Sequence, residues 1–390
     1  MDASGLCADT VVVAGGEVLL ADGRVAPRDI RIVGSLIADI SEPGRIRVEP
    51  GARTVDAAGR LVLPGIVDIH GDAFERQIMP RPGVGFDFAV ALIDSDSQLV
   101  ANGITTAYHG VTLSWEPGLR SGASFARFLD ALEDVRGALR CDTRVHMRFE
   151  TYNVEAADDA EAWIREGRVG LLAFNDHTPD IHAKRGDHAA MSKYAERAGM
   201  GVPDFVAHLD RVAARSDEVC TTLARLAAAA QAAGIPQLSH DDRTADERQR
   251  YLALGCTISE FPETAEAACE ARRLGNPVVM GAPNVVRGGS HTGAASATDM
   301  IARGMCTVLA SDYYYPAPLL AALKLHRKLG FGLGDAWSLV SRAPALAAGL
   351  DDRGEIAPGR KADLIVVDRG LCGVPRVSAT LVAGRPVYRA

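Results

Sequence analysis

Eight short apolar runs recur through the middle of the chain, at 61–70, 104–112, 144–151, 169–177, 236–241, 257–262, 277–283 and 306–312, separated by stretches of helical character. Strand and helix in alternation build parallel βα units, and eight such units close a barrel. A chain of 390 residues holds a barrel of about 250 residues and an appendage besides. The two ends supply the appendage. Residues 11–14, 17–20, 29–33 and 36–40 are short alternating segments divided by Gly and Asp, and 363–367 and 379–387 repeat that character, with Gly384-Arg385 at a turn. The expected fold is α/β: a (β/α)8 TIM barrel over 63–350, with a small β-sandwich domain built from both chain ends, 1–62 and 351–390. Residues 222–233, rich in Ala and followed by Gly234, read as a helix with a glycine stop. A polar insert over 178–218 follows the fourth strand, where it either shapes a substrate site or decorates the periphery.

A net charge of -8 lacks the basic excess that a phosphate backbone demands, which argues against nucleic acid as a partner. Apolar runs fall short of the roughly 18 residues of a membrane span. Seven scattered cysteines without a Cys-x-x-Cys pair argue against a disulfide framework and against a thiolate zinc site. With a start, Met-Asp-Ala-Ser, that has no basic segment leading into an apolar core, the expectation is a cytoplasmic protein, either monomer or homo-oligomer.

Barrel active sites lie at the C-terminal ends of the strands. Here those ends carry metal-ligand types. The first run closes on His70-Gly71-Asp72, the third on Arg148-Phe149-Glu150, the fourth on Asp176-His177, the fifth on His240-Asp241-Asp242, the sixth on Ser259-Glu260 and the eighth on Ser311-Asp312. In an extended chain alternate side chains share a side, so His70 and Asp72 can grip one ion. A single polar strand end often does no more than cap the next helix. Six ends out of eight carrying such residues are hard to explain that way. Imidazole and carboxylate without thiolate suit a divalent metal, Zn2+ first and Mn2+ or Fe2+ as alternatives, as one ion or two. The candidate metal ligands are His70, Asp72, Glu150, His177, His240 and Asp312, with Glu260 and Asp241 as ligands or supporting groups. Bound metal lowers the pKa of water from about 15.7 towards 7. Asp312 is then the candidate catalytic residue that takes the proton, and Glu150 the candidate bridge between two ions. His182, His188 and His208, in the insert, read as surface or gate residues.

After the seventh run comes Gly281-Ala282-Pro283-Asn284-Val285-Val286-Arg287-Gly288-Gly289-Ser290-His291-Thr292-Gly293. Exposed glycine amides, an Arg fork and hydroxyls suit a phosphate, and the last barrel loops often hold one. Asn284, Arg287, Gly288, Gly289, Ser290 and His291, with Arg81 from the first loop, are the candidate substrate contacts. They point to a small phosphorylated substrate.

On these motifs the chain resembles the amidohydrolase superfamily, and within it the subgroup of α-D-ribose 1-methylphosphonate 5-triphosphate diphosphatases. The likeness rests on Leu63-Pro64-Gly65 leading to His70-x-Asp72, Pro80-Arg81-Pro82, Asp176-His177-Thr178-Pro179, Ser239-His240-Asp241-Asp242, Glu260-Phe261-Pro262, Met280 to Gly293 and Ser311-Asp312-Tyr313-Tyr314. The resemblance implies a metal-dependent hydrolase that cleaves a ribosyl phosphonate triphosphate to the 5-phosphate and pyrophosphate. C–N hydrolysis of a cyclic amide or aminopurine is the rival reading, and a noncatalytic anion-binding barrel a third. Most of the superfamily has His-x-His on the first strand where this chain has His70-Gly71-Asp72, and around that Asp the subgroup carries a Thr and an Asn. Ligands in the superfamily commonly sit on strands five and six, whereas His177 and His240 fall on four and five. Either the count is off by one, or Glu260 on strand six takes a ligand role and His177 moves outward.

Overall fold

A computed structural model describes residues 10–390, apart from residues 82, 290–295, 369 and 371–372. Strands β1 (Thr10–Leu19), β2 (Val25–Val33), β3 (Leu36–Ser41), β4 (Arg53–Asp56) and β5 (Leu61–Pro64) come from the start of the chain. The barrel strands follow: β6 (Ile66–Gly71), β7 (Ile104–Leu113), β8 (Asp142–Glu150), β9 (Leu171–Asn175), β10 (Gln237–His240), β11 (Cys256–Glu260), β12 (Val278–Gly281) and β13 (Val308–Ala310). Strands β14 (Leu364–Asp368), β15 (Arg376–Val382) and β16 (Arg385–Arg389) end the chain.

Strands β6 to β13 pair in sequence order as a parallel eight-stranded sheet, with helices between them. A parallel bridge between Gly71 and Asp312 joins its two edges into a barrel. Asp312 N–H donates to the His70 carbonyl (2.9 Å) and Asp72 N–H to the Asp312 carbonyl (3.0 Å). Below that bridge, buried Asp68 accepts from the Ser311 amide (2.8 Å) and hydroxyl (2.5 Å). Closure needs glycine at position 71, because a Cβ there would stand 2.7 Å from Asp68 Oδ2 and 2.9 Å from Ser311 Oγ. The barrel is filled by Val67, Ile69, Leu171, Ala173, Leu238, Ile258, Val279 and Val308, all buried, so it is a packed core and no pore.

The chain ends meet in a second eight-stranded sheet, ordered β16-β15-β14-β5-β1-β2-β3, with β4 beside β1. Its core joins Val13, Val18 and Ile30 from one end to Leu364, Val366 and Leu381 from the other.

The structure corrects the expected elements in places. The run 61–70 is two strands: β5 pairs antiparallel with β14 in the second sheet, and only β6 belongs to the barrel. The break falls at Gly65, where a Cβ would lie 2.2 Å from the Thr105 hydroxyl. The segments 11–14 and 17–20 are one strand with an irregularity between Val13 and Gly16. The Ala-rich helix begins earlier, at Ser216–Ala232, and Gly234 follows it with a left-handed φ of 68°.

The insert folds as the helices Thr178–Ala183, His188–Ala198 and Val202–Ala213 around Ile181, Met191, Phe205 and Leu209. Trp115, in the loop after β7, anchors it: its Nε1 donates to Thr178 Oγ1 (2.8 Å), and its carbonyl lies 3.0 Å from His208 Nε2. Among the described residues no helix is long and apolar enough to cross a membrane. Cys7 and Cys372 lie outside the described residues; Cys141, Cys220, Cys256, Cys269 and Cys306 are unpaired.

Candidate metal centre at the barrel mouth

Glu260 is fully buried at the end of β11 and gives each carboxylate oxygen to a different imidazole. His70 Nδ1 lies 2.8 Å from Oε1 and His240 Nδ1 2.8 Å from Oε2. Burial opposes ionisation of Glu260, yet the charge of His70 and the hydrogen bonds from His240 and His70 hold its carboxyl well below the usual range. As a carboxylate it accepts from both Nδ1–H groups. Both Nε2 atoms are left for other partners, the arrangement by which a carboxylate orients metal-binding histidines. Arg148 supports this proton placement for His240, since a guanidinium only donates and its Nη2 lies 3.3 Å from His240 Nε2.

Among the described residues, three groups of potential ligand atoms, each within 4.8 Å of one another, meet here: His70, His240 and Glu260; His177, His240 and Asp241; His70, Asp72 and Asp312. The two histidines that share Glu260 belong to two groups each. Burial raises the Asp312 carboxyl, with His70 pulling it down and Asp72 pushing it up. Asp241 directly follows β10 and Asp312 lies two residues past the end of β13, with φ of 60° and 56°, and Phe261, after Glu260, has φ 51°. Left-handed backbone at residues other than glycine clusters at functional sites.

The strand count stands: β9 precedes His177, β10 ends on His240 and β11 on Glu260, so these residues follow the fourth, fifth and sixth barrel strands. Glu260 is the deep member, and His177 is half-buried at the rim. His177 Nδ1 lies 2.6 Å from Glu150 Oε1 and Nε2 3.2 Å from Asp241 Oδ2. Burial disfavours its charged form, but Glu150 and Asp241 outweigh burial and raise its pKa to about 10. Glu150, expected as a bridge between ions, belongs to none of the three groups among the described residues; it holds His177.

Sequence reasoning passed over two residues. On β8, His146, Arg148 and Glu150 alternate and so share the inward side, a period-two signal present in the sequence. His146 is fully buried, with Nδ1 2.9 Å from the Ile69 carbonyl and Nε2 without a partner. Burial lowers its pKa to about 3. Arg148 Nη1 lies 3.7 Å from Asp72 Oδ2, so this one side chain touches members of all three ligand groups.

The expected phosphate loop is partly otherwise engaged. Ala282–Arg287 is a helical turn, and the Gly288 and Gly289 amides both donate to the Asn284 carbonyl at 3.0 Å. These two amides close a helix and do not face outward as free donors. Asn284 Oδ1 accepts from the Ala297 amide (3.1 Å). Exposed Arg287 reaches the Tyr313 hydroxyl at 3.5 Å, next in sequence to Asp312. Arg81 is exposed and bridges Val84, making none of the contacts at the mouth described above. Ser290 and His291 lie outside the described residues. The mouth instead opens into a cleft of about 310 Å3 where Glu150, His177 and Asp241 face Lys184, Tyr194 and Arg197 of the insert. The insert is therefore one wall of the cleft.

The profile of the Amidohydrolase family matches residues 97–388. The chain belongs to the amidohydrolase family. This amidohydrolase is 33% identical over 332 residues to α-D-ribose 1-methylphosphonate 5-triphosphate diphosphatase of Escherichia coli (strain K12), covering 81% of this chain and 85% of that one. It is 26% identical to an adenine deaminase of Methylobacterium nodulans, over 97% of this chain but only 59% of the deaminase. N-isopropylammelide isopropylaminohydrolase from Burkholderia multivorans shares the fold, with a TM-score of 0.63, 20% identity and 98% of each chain covered. The chain is thus a hydrolase with candidate sites for the divalent metals that the superfamily typically binds.

Proposed function

We propose that this amidohydrolase cleaves α-D-ribose 1-methylphosphonate 5-triphosphate to the 5-phosphate and pyrophosphate, with Zn2+ as the metal and Mn2+ or Fe2+ as substitutes. The observation that carries the reading is the 33% identity to the diphosphatase over most of both chains. The donor set fits a divalent ion: two histidines oriented by one carboxylate, acidic oxygens from Asp72 and Asp312 beside His70, and a buried His146 Nε2 without a partner. Such an ion supplies Lewis acidity and makes water acidic enough to attack at neutral pH. His70, His240, Asp72 and Asp312 would hold it, with Glu260 orienting the two imidazoles and His177 and Asp241 available for a second. Asp312, its carboxyl raised by burial, takes the proton of the attacking water. The insert lines the cleft and offers Lys184 to a polyphosphate tail.

Deamination of an aminopurine is the second reading, favoured by the adenine deaminase likeness along nearly all of this chain. Metal-reconstituted protein offered the triphosphate and, separately, adenine separates the two. The proposal expects pyrophosphate from the first and no ammonia from the second. Ammonia without pyrophosphate would reverse the assignment.

A further inference from the structure

Arg148 is a buried cation whose donors are largely uncommitted. It is 8% exposed, and its guanidinium stands at 3.3 Å from His240 Nε2 and 3.7 Å from Asp72 Oδ2, the second beyond hydrogen-bonding range. Its Nε has no partner. Arg353, buried to a similar degree, is saturated: Nε and Nη2 bind Asp352, and Nη1 binds Asp142 (2.7 Å) and Thr106 (2.8 Å). The cleft arginines are committed too, Arg197 to both oxygens of Glu116, Arg243 to Asp180 and Glu263, and Arg120 to Glu75. A guanidinium taken out of water with donors unused is costly unless a partner completes it. Gly110 on β7 lets Arg148 and His70 pack close to the strand, since a Cβ there would stand 3.3 Å from Arg148 Cδ and 3.5 Å from His70 Nε2.

We propose that Arg148 is the seat for the substrate's anionic oxygens, holding a phosphoryl group beside the ligand groups at the floor of the mouth. A planar fork that donates two parallel bonds suits a phosphoryl group, and its charge offsets the negative charge that develops there. The inference deepens the proposed function and rests on it for the phosphoryl identity of the anion. The sequence hint of a phosphate loop after β12 thereby gains a second, deeper cation on the opposite side of the barrel.

Calorimetric titration of inorganic pyrophosphate into the metal-loaded full chain, unaltered and as Arg148→Met and Arg148→Lys, tests this, with metal content measured on each sample. Arg148→Met is expected to weaken pyrophosphate binding by about tenfold to a hundredfold, the range of a charge-assisted hydrogen bond, with metal content unchanged. Arg148→Lys is expected to recover part of the loss. Unchanged pyrophosphate binding in Arg148→Met overturns the inference, as does absence of binding by the unaltered chain. Equal weakening in both variants with loss of metal also overturns it, because Arg148 then only holds the centre together. Turnover of the triphosphate separates the two claims. An unaltered chain that leaves the triphosphate intact, yet loses pyrophosphate when Arg148 is changed, refutes the reaction and keeps the anion seat. Triphosphate turnover that is the same in Arg148→Met refutes the seat and keeps the reaction.

Discussion

Asp312 shows how much one residue carries here: its backbone closes the barrel, its φ of 56° aims its side chain, and its carboxyl joins His70 and Asp72. Left-handed backbone at Asp241, Phe261 and Asp312 stores on the order of 1–3 kcal/mol each, sustained by the packed barrel around them. Asp312→Asn is expected to cut turnover by on the order of 100- to 10,000-fold, the range for removal of a general base. Its melting temperature should stay near that of the unaltered chain, and wild-type rates would remove Asp312 from the chemistry. His146 makes a pH prediction. Its pKa falls from an ordinary 6.5 to about 3 in the folded protein, so the unfolded chain takes up a proton there that the folded chain refuses. The stability this gives is present above pH 6.5 and is lost as pH falls towards 3. Melting of chelated protein across that window is expected to fall less steeply in His146→Gln, and parallel curves would contradict it. His70, Asp72, His240 and Asp312 were legible as polar ends of apolar runs. His146 and Arg148 sit within or near the end of such a run, and their function depends on which residues the barrel brings opposite them.

Beneath the candidate ligands, two strands share one brace. Asp242 Oδ2 accepts from Ser239 Oγ at the end of β10 (2.6 Å), from Ser259 Oγ on β11 (3.0 Å) and from buried Arg248 (3.1 Å). Ser239 and Ser259 directly precede His240 and Glu260, so the brace fixes the strand ends that carry them. Asp242→Ala leaves Arg248 buried and uncompensated, and chemical denaturation is expected to show a loss of about 3–5 kcal/mol. A loss below 1 kcal/mol would show that the brace matters little. Arg287→Ala is expected to raise KM on the order of tenfold with little change in kcat, as removal of a single charge-assisted hydrogen bond to substrate should do. An unchanged KM would place Arg287 outside the substrate's reach. Most barrel strands were legible because apolar runs and Gly-marked turns are local signals. The split at Gly65 was not, since it depends on Thr105 of β7 filling the space a Cβ needs. Nor was the commitment of the Gly288 and Gly289 amides, because the same glycines that free a backbone for phosphate also end a helix.

At the scale of the whole molecule, the barrel and the sheet from the chain ends share Gly65 as a hinge of sequence, with β5 in one and β6 in the other. Residues 10–64 and 364–389 supply that second sheet, and the candidate ligands lie at the mouth of the barrel. The insert, between β9 and β10, was legible as a polar interruption, but its place as a cleft wall depends on Trp115, which is remote in sequence. Metal-dependent hydrolysis at this mouth can be checked by diffraction from metal-loaded, catalytically active crystals at the absorption edge of the metal. Anomalous density is expected among His70, Asp72, His240 and Asp312. Active crystals whose only anomalous density lies away from the barrel mouth would contradict it.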